Sequence, residues 1–343
     1  MRLAHCKLIV FLGAVLFLLT GCSGIQSALD PATEQARGIS SLWWIFFSVT
    51  VTIYLLVMAF LFLGGLRNRV EGAVSEVPVA AVDPGRERRI TRGVRLAVAV
   101  TILILFGLMF CDFVTGRTLH PLPNSNPLII QVIGHRWWWE VKYKDVVPSN
   151  MVVTANEIHV PVGRDIEFDL ESTDVIHSFW APNFQGKKDA IPGHPSTNWF
   201  RATHAGEYRG QCAEYCGYQH AHMRFVIVAE SEDDFKKWRE HASKPAPEPA
   251  TEEEKRGRDV FVNRTCAMCH SIGGTMANAT VGPNLTHLAG RSLIGAGSFL
   301  NTPELLRSWI LNAQHFKPGV VMPQQTLRSD ELDALMQYLQ TLR

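Results

Sequence analysis

No excess of charge of either sign runs through these 343 residues: 33 Lys and Arg stand against 32 Asp and Glu, a net charge of +1. That balance excludes the basic footprint of a nucleic-acid-binding protein. Cysteine is scarce, with seven in all, and none is left for a structural disulfide once each is placed. Cys6 lies in an apolar leader, Cys22 at its end and Cys111 in a later apolar run. Cys212 and Cys216 share one loop, and Cys266 and Cys269 share another. The lack is informative because the chain otherwise reads as exported, where disulfides are common. Composition itself is uneven: the first third is strongly apolar and the rest has ordinary soluble character.

Residues 1–22 read as a secretory signal. Arg2 and Lys7 charge its start, and Leu8 to Leu19 is too short an apolar run to span a bilayer. The ending Leu19-Thr20-Gly21-Cys22 is similar to a bacterial lipoprotein processing site, which predicts lipidation of Cys22. Residues 23–116 are expected to form an anchor with two transmembrane helices, at about 41–63 and 94–113. Between them lie Arg67, Arg69, Arg86, Arg88, Arg89, Arg92 and Arg95. This loading places the connecting loop in the cytoplasm and everything after Phe113 outside it. The expected location is therefore the bacterial inner membrane, multi-pass, with the soluble parts on the periplasmic side.

From 127 to about 230 the chain reads as short strands bounded by Gly, Pro, Asn and Asp, which implies a β-sandwich or Greek-key barrel. Within it, Cys212-Ala-Glu-Tyr-Cys216-Gly-Tyr-Gln-His220-Ala-His-Met223 puts two thiols, an imidazole and a thioether on one loop. Such soft donors suit copper better than calcium, magnesium or a hydrolytic zinc. His177, after an earlier strand, supplies the distant histidine that copper sites of this kind need. Two thiolates can bridge two metals, each capped by one histidine, with Met223 and a backbone carbonyl as weak outer ligands. His135, His194, His204 and His222 read as surface or hydrogen-bonded structural histidines.

Residues 127–240 resemble subunit II of cytochrome c oxidase, a membrane-anchored cupredoxin with a dinuclear CuA centre. The resemblance is carried by Gly134-His-Arg-Trp-Trp-Trp139, His177-Ser, Asp189-Ala-Ile-Pro-Gly193 and the 210–223 segment. It implies copper ligands at His177, Cys212, Glu214 (through its carbonyl), Cys216, His220 and Met223. It also implies a magnesium or manganese ion shared between the Glu214 carboxylate and subunit I, a hard ion suited to oxygen ligands. Trp137 takes the family position that receives electrons beside CuA.

Lys244-Pro-Ala-Pro-Glu-Pro-Ala250 predicts a stretched spacer within a linker at 241–251. Beyond it, residues 252–343 read as helical, with starts at Glu252 and Pro303 and a last helix capped by Ser329. Cys266-Ala-Met-Cys269-His270 is the attachment signature for a c-type heme. Cys266 and Cys269 supply the thioethers and His270 the proximal ligand. Met322, between Pro318 and Pro323, fits the distal ligand, whereas Met268, Met276 and Met336 do not. His/Met ligation favours electron transfer over oxygen chemistry. Gly282-Pro-Asn-Leu285 and Gly290-Arg291 complete a resemblance to class I cytochrome c.

The expected fold is therefore multidomain: two transmembrane α-helices, a cupredoxin-like Greek-key β-sandwich over 117–240, then an all-α cytochrome c domain over 252–343. The order resembles the cytochrome-c-fused subunit II of caa-type oxidases. That implies an oxidoreductase and translocase subunit carrying electrons from cytochrome c or another periplasmic or membrane donor, through heme c and CuA, to heme a in subunit I. Oxygen reduction and proton pumping would belong to subunit I, and other oxidase subunits are expected partners. Many relatives place a glutamate and Trp-Thr near the second helix; here only Glu87 is close, which disfavours a role in proton uptake. The alternatives are the CuA-bearing subunit of a nitric oxide reductase and, in a different class, a membrane-anchored copper carrier or assembly protein.

Overall fold

The computed structural model describes residues 23–67, 83–119, 126–147 and 150–343. Cys22 and the 1–22 leader lie outside the described residues. The chain divides into two compact units, one of Gly38–His120 and one containing the rest.

The first unit holds most of two long helices, α1 (Glu34–Arg67) and α2 (Pro84–Thr118). Both are long and apolar enough to cross a bilayer. Their apolar side chains are not buried against the protein: Phe60 is 78% and Leu103 71% exposed. Both helices run past the expected 41–63 and 94–113. The extra turns are polar, so an apolar window does not detect them. At α2 the start is fixed by Asp83, whose side chain accepts from Gly85 N, with proline in the first turn.

The second unit opens with a β-sandwich. Strands β1 (Leu128–His135), β2 (Trp138–Tyr143), β3 (Val152–Ala155), β5 (Asp165–Ser172) and β8 (Ser196–Arg201) form one sheet in the order β3-β2-β1-β5-β8. Strands β4 (Glu157–Pro161), β6 (His177–Trp180), β7 (Lys188–Ala190), β9 (Gly206–Cys212) and β10 (Arg224–Glu230) form the other, ordered β4-β10-β9-β6-β7. Alternation supplies the core: Ile166, Phe168 and Leu170 of β5 point inward with Trp139 of the same sheet and Phe179 and Phe225 of the facing one. Helix α3 (Glu232–Ala242) closes the sandwich, burying Phe235.

Residues 24–37 belong with this sandwich and not with the membrane helices, a correction to the expected 23–116 anchor. Asn183 is the reason. Its Nδ2 donates to Gly24 O and Asp30 O, both at 2.8 Å, and its Oδ1 accepts from Ser27 N at 3.0 Å. Thr33 then bridges to Ala202.

The helical part follows the irregular 244–250 stretch. It contains α4 (Glu252–Asn263), a two-stranded ribbon of β11 (Leu293–Ile294) and β12 (Phe299–Leu300), α5 (Pro303–Leu311), α6 (Ala313–Phe316) and α7 (Ser329–Thr341). Thr251 and Glu254 form a reciprocal capping box on α4. Thr302 caps α5 ahead of Pro303. Helices α4 and α7 cross closely at Gly257, where a Cβ would collide with Ala334 O. Helix α7 begins at Ser329 itself, so the capping position is Arg328 and not the expected Ser329.

Candidate copper and heme sites

The loop between β9 and β10 brings the sulfur donors together at one end of the sandwich. Cys212 Sγ lies 3.8 Å from Cys216 Sγ, and Cys216 Sγ lies 3.6 Å from His220 Nδ1 and 3.9 Å from Met223 Sδ. From β6, His177 Nδ1 approaches Cys212 Sγ to 3.8 Å. The donor atoms of His177, Cys212 and Cys216 all fall within 4.8 Å of one another. His177, Cys212, Cys216 and Met223 are buried. Glu214 points its oxygens two ways: its carbonyl sits 3.2 Å from Cys212 Sγ, while its carboxylate turns outward to Lys187 Nζ at 3.2 Å.

Sequence reasoning missed the groups that hold these donors. Asp174 Oδ1 lies 2.8 Å from His177 Nε2, which turns Nδ1 toward sulfur. A carboxylate three residues ahead of a candidate metal histidine is the signal that could have found it. Burial works against the Asp174 charge, but His177 and the backbone N–H groups of Val175 and Arg136 outweigh it and hold the carboxyl at about 2. Gly134 leaves room for the imidazole, since a Cβ there would meet His177 Cδ2 at 2.6 Å. Contact with Cys216 is the main cause that pushes the Cys212 thiol down. The same contact, with burial, pushes Cys216 up. One thiol of the pair therefore ionises readily, and a cation must draw the second proton off. Two thiolates, two imidazoles and a thioether are a donor set that fits copper.

Trp137 is buried, with its indole Nε1 donating to Cys216 O at 2.9 Å. Its ring also walls a cavity of about 360 Å³ in the helical part. Cys266, Cys269, His270 and Met322 line the same cavity, with Leu335 among its apolar walls. His270 Nδ1 donates to Pro283 O at 2.8 Å, which leaves Nε2 as the coordinating nitrogen. A Cβ at Gly282 would stand 2.7 Å from His270 Cε1, so only glycine admits the ring there. Arg291 lines the cavity with its Nε unpartnered, and burial pushes its guanidinium down to about 10. An apolar cavity with two thiols, an imidazole, a thioether and a buried guanidinium whose Nε has no partner fits a heme with anionic substituents.

Other histidines behave as expected. His135 stacks on Trp138 at 4.4 Å, His204 pairs with Thr203, and His222 offers the neighbouring residues its carbonyl. His287 turns its two ring nitrogens to Arg343 O and Ala242 O.

Comparison with known proteins bears on both sites. Residues 148–230 match the family described as cytochrome c oxidase subunit II, periplasmic domain, and residues 254–343 match cytochrome c. Cytochrome c oxidase subunit 2 of Alkalihalophilus pseudofirmus is 32% identical over 336 residues, covering 95% of this chain and 94% of that protein. The same subunit of Bacillus subtilis is 27% identical over 358 residues, covering 99% and 98%. The crystal structure of the periplasmic domain of subunit II of cytochrome oxidase from Bradyrhizobium japonicum is 33% identical, covers 36% of this chain and 96% of that one, and has a TM-score of 0.33. Because a relative above 30% identity runs along nearly the whole chain, and a cytochrome c match follows the copper-domain match, this chain belongs to the cytochrome c oxidase subunit 2 family, in the form fused to a cytochrome c domain.

Proposed function

We propose that this chain is the electron-receiving subunit of a terminal heme–copper oxidase, carrying electrons from a donor outside the cytoplasm to heme a in subunit I, the site of oxygen reduction and proton pumping. Membership of the family makes the chain an oxidoreductase subunit, membrane-anchored and associated with other oxidase subunits, with a heme c and a copper centre. When bound, those two groups supply one-electron redox centres; the chain's residues supply their placement. His177, Cys212, Cys216, His220, Met223 and the Glu214 carbonyl would hold a dinuclear copper pair. Cys266 and Cys269 would form thioethers to heme, with His270 and Met322 as axial ligands. The Glu214 carboxylate, already outward, would exchange Lys187 for a magnesium or manganese ion shared with subunit I.

A single observation carries the reading: Trp137 donates to the Cys216 carbonyl on one side and walls the heme cavity on the other. The two candidate centres thus share one buried aromatic. Trp137 would then receive electrons from the chain's own heme: it is 8% exposed, so an external donor would meet the heme domain first. The anchor would be multi-pass in a bacterial inner membrane, with Cys22 lipidated.

The test is to purify the membrane complex, count copper per heme c, and measure the gas it consumes. Two coppers per heme c and oxygen uptake are expected. A single copper, zinc, or nitric oxide in place of oxygen would overturn the reading.

A further inference from the structure

The copper-ligand loop and the loop that carries Met322 are joined by hydrogen bonds in both directions. From the copper side, Gln219 Nε2 donates to Pro318 O at 2.8 Å. From the heme side, Lys317 Nζ donates to His222 O at 2.8 Å and to Gly295 O at 3.0 Å, and lies 3.5 Å from Trp137 O. Both donors are buried, Gln219 at 5% and Lys317 at 2% exposure. The Lys317 amine carries two N–H groups when neutral and three when protonated, and here it faces three carbonyls. Burial with no opposite charge in contact pushes it down to about 7, so whichever form it takes depends on well-placed acceptors. Two of the three belong to the copper domain. Lys317 is therefore fully satisfied in this burial only while the two domains stay together. Gln314 carries the restraint onward: its Oε1 accepts from Gly319 N at 2.9 Å and its Nε2 donates to Met322 O at 3.0 Å.

We propose that Lys317 and Gln219 form a reciprocal latch that fixes the Met322 loop against the copper-ligand loop, making Lys317 a positioning residue for electron exchange between the two centres. The heme domain is then a seated module and not a carrier swinging on the 244–250 segment. The exchange is a one-electron transfer, heme side oxidised and copper side reduced, with no atom moved and no further co-reactant. This part of the inference rests on the function proposed above.

The test uses the full chain in its purified complex, with copper and heme loaded, and compares wild type with Lys317→Met, Gln219→Ala and the double variant. Seating is read by protease cleavage within 244–250 and by solution scattering. Exchange is read by photoreducing the heme and following reduction of copper optically. The double variant should be cleaved at least tenfold faster and exchange electrons at least tenfold more slowly, with the separate heme and copper spectra unchanged. Gln219→Ala, which introduces no buried apolar group at the charge site, should show a smaller change of the same sign should Lys317→Met fold poorly. Cleavage and exchange both within twofold of wild type in Gln219→Ala and in every folded variant would overturn the latch. A wild type that exchanges no electrons at all would instead sink the proposed function, while the cleavage and scattering arms would still decide the latch.

Discussion

In the copper cluster the donors already touch one another, whereas the heme ligand candidates stand on the walls of a cavity of about 360 Å³. The copper donors Cys212, Cys216 and Met223 join the sandwich core, but most of that core, including Trp139, Phe168 and Phe179, consists of apolar residues that carry no donor. The helical domain has no such independent centre: Leu288, Leu306, Ile310, Leu335 and Leu339 are both its core and the cavity wall. A small ion is thus an addition to a finished fold, while a macrocycle is a piece of the core itself.

The sharpest way to break this contrast is to deny the helical domain its covalent group. Leaving a cavity of about 360 Å³ unfilled removes contacts on the scale of several large-to-small core substitutions, ~2–5 kcal/mol each. That is comparable with the whole stability of a small domain, ~5–15 kcal/mol. Cys266→Ser with Cys269→Ser should therefore leave residues 252–343 unfolded and protease-sensitive, with the sandwich intact. Amide exchange across the two domains checks this, and protection surviving in α4 and α7 would break the contrast. Next in size is Cys216→Ser. It removes one of two bridging sulfurs, so the coupled copper pair and its near-infrared band should vanish. Both folds should persist by circular dichroism, and a retained band would show that Cys216 is not a ligand.

The same contrast explains what was legible in the sequence. The copper loop and the Cys-x-x-Cys-His run are readable because each packs several donors into one short stretch, and only His177 and Met322 had to be sought at a distance. Strands such as β5 announce themselves through alternation. Asn183, Gln219 and Lys317 do not: each acts through hydrogen bonds to backbone carbonyls far along the chain, and a backbone partner leaves no trace in residue type. The N-terminal 24–37 stretch was assigned to the anchor for that reason. Helix α3 was also missed, because its pattern is dominated by exposed charges and buries only Phe235.

A middle-sized effect tests whether the copper donors are as pre-set as they look. Asp174 holds His177 without touching sulfur. Asp174→Asn keeps the shape and removes the charge, so copper affinity should fall about 10- to 100-fold. The heme spectrum should not move. Competition with a copper chelator measures it, and an unchanged affinity would mean that the sandwich alone orients the imidazole.

The smallest effect lies away from both centres and serves as the reference for the other three. His159 sits between Glu230, 2.8 Å from Nδ1, and Glu157, 3.2 Å from Nε2, and stacks on Trp238 at 4.2 Å. Burial alone would lower its pKa, but the two carboxylates outweigh burial and raise it. The folded state therefore holds the proton more tightly than the unfolded chain, whose histidine titrates near ~6.5. The stabilisation is complete below that value and is lost as pH rises through the higher folded-state value. His159→Gln should cost about 1 kcal/mol, the scale of one hydrogen bond, in mildly acidic solution. The gap from wild type should narrow as the solution becomes alkaline. Denaturant unfolding of the sandwich at several pH values checks the trend. A gap that widened with pH would mean that His159 is held neutral, with burial winning over its carboxylates.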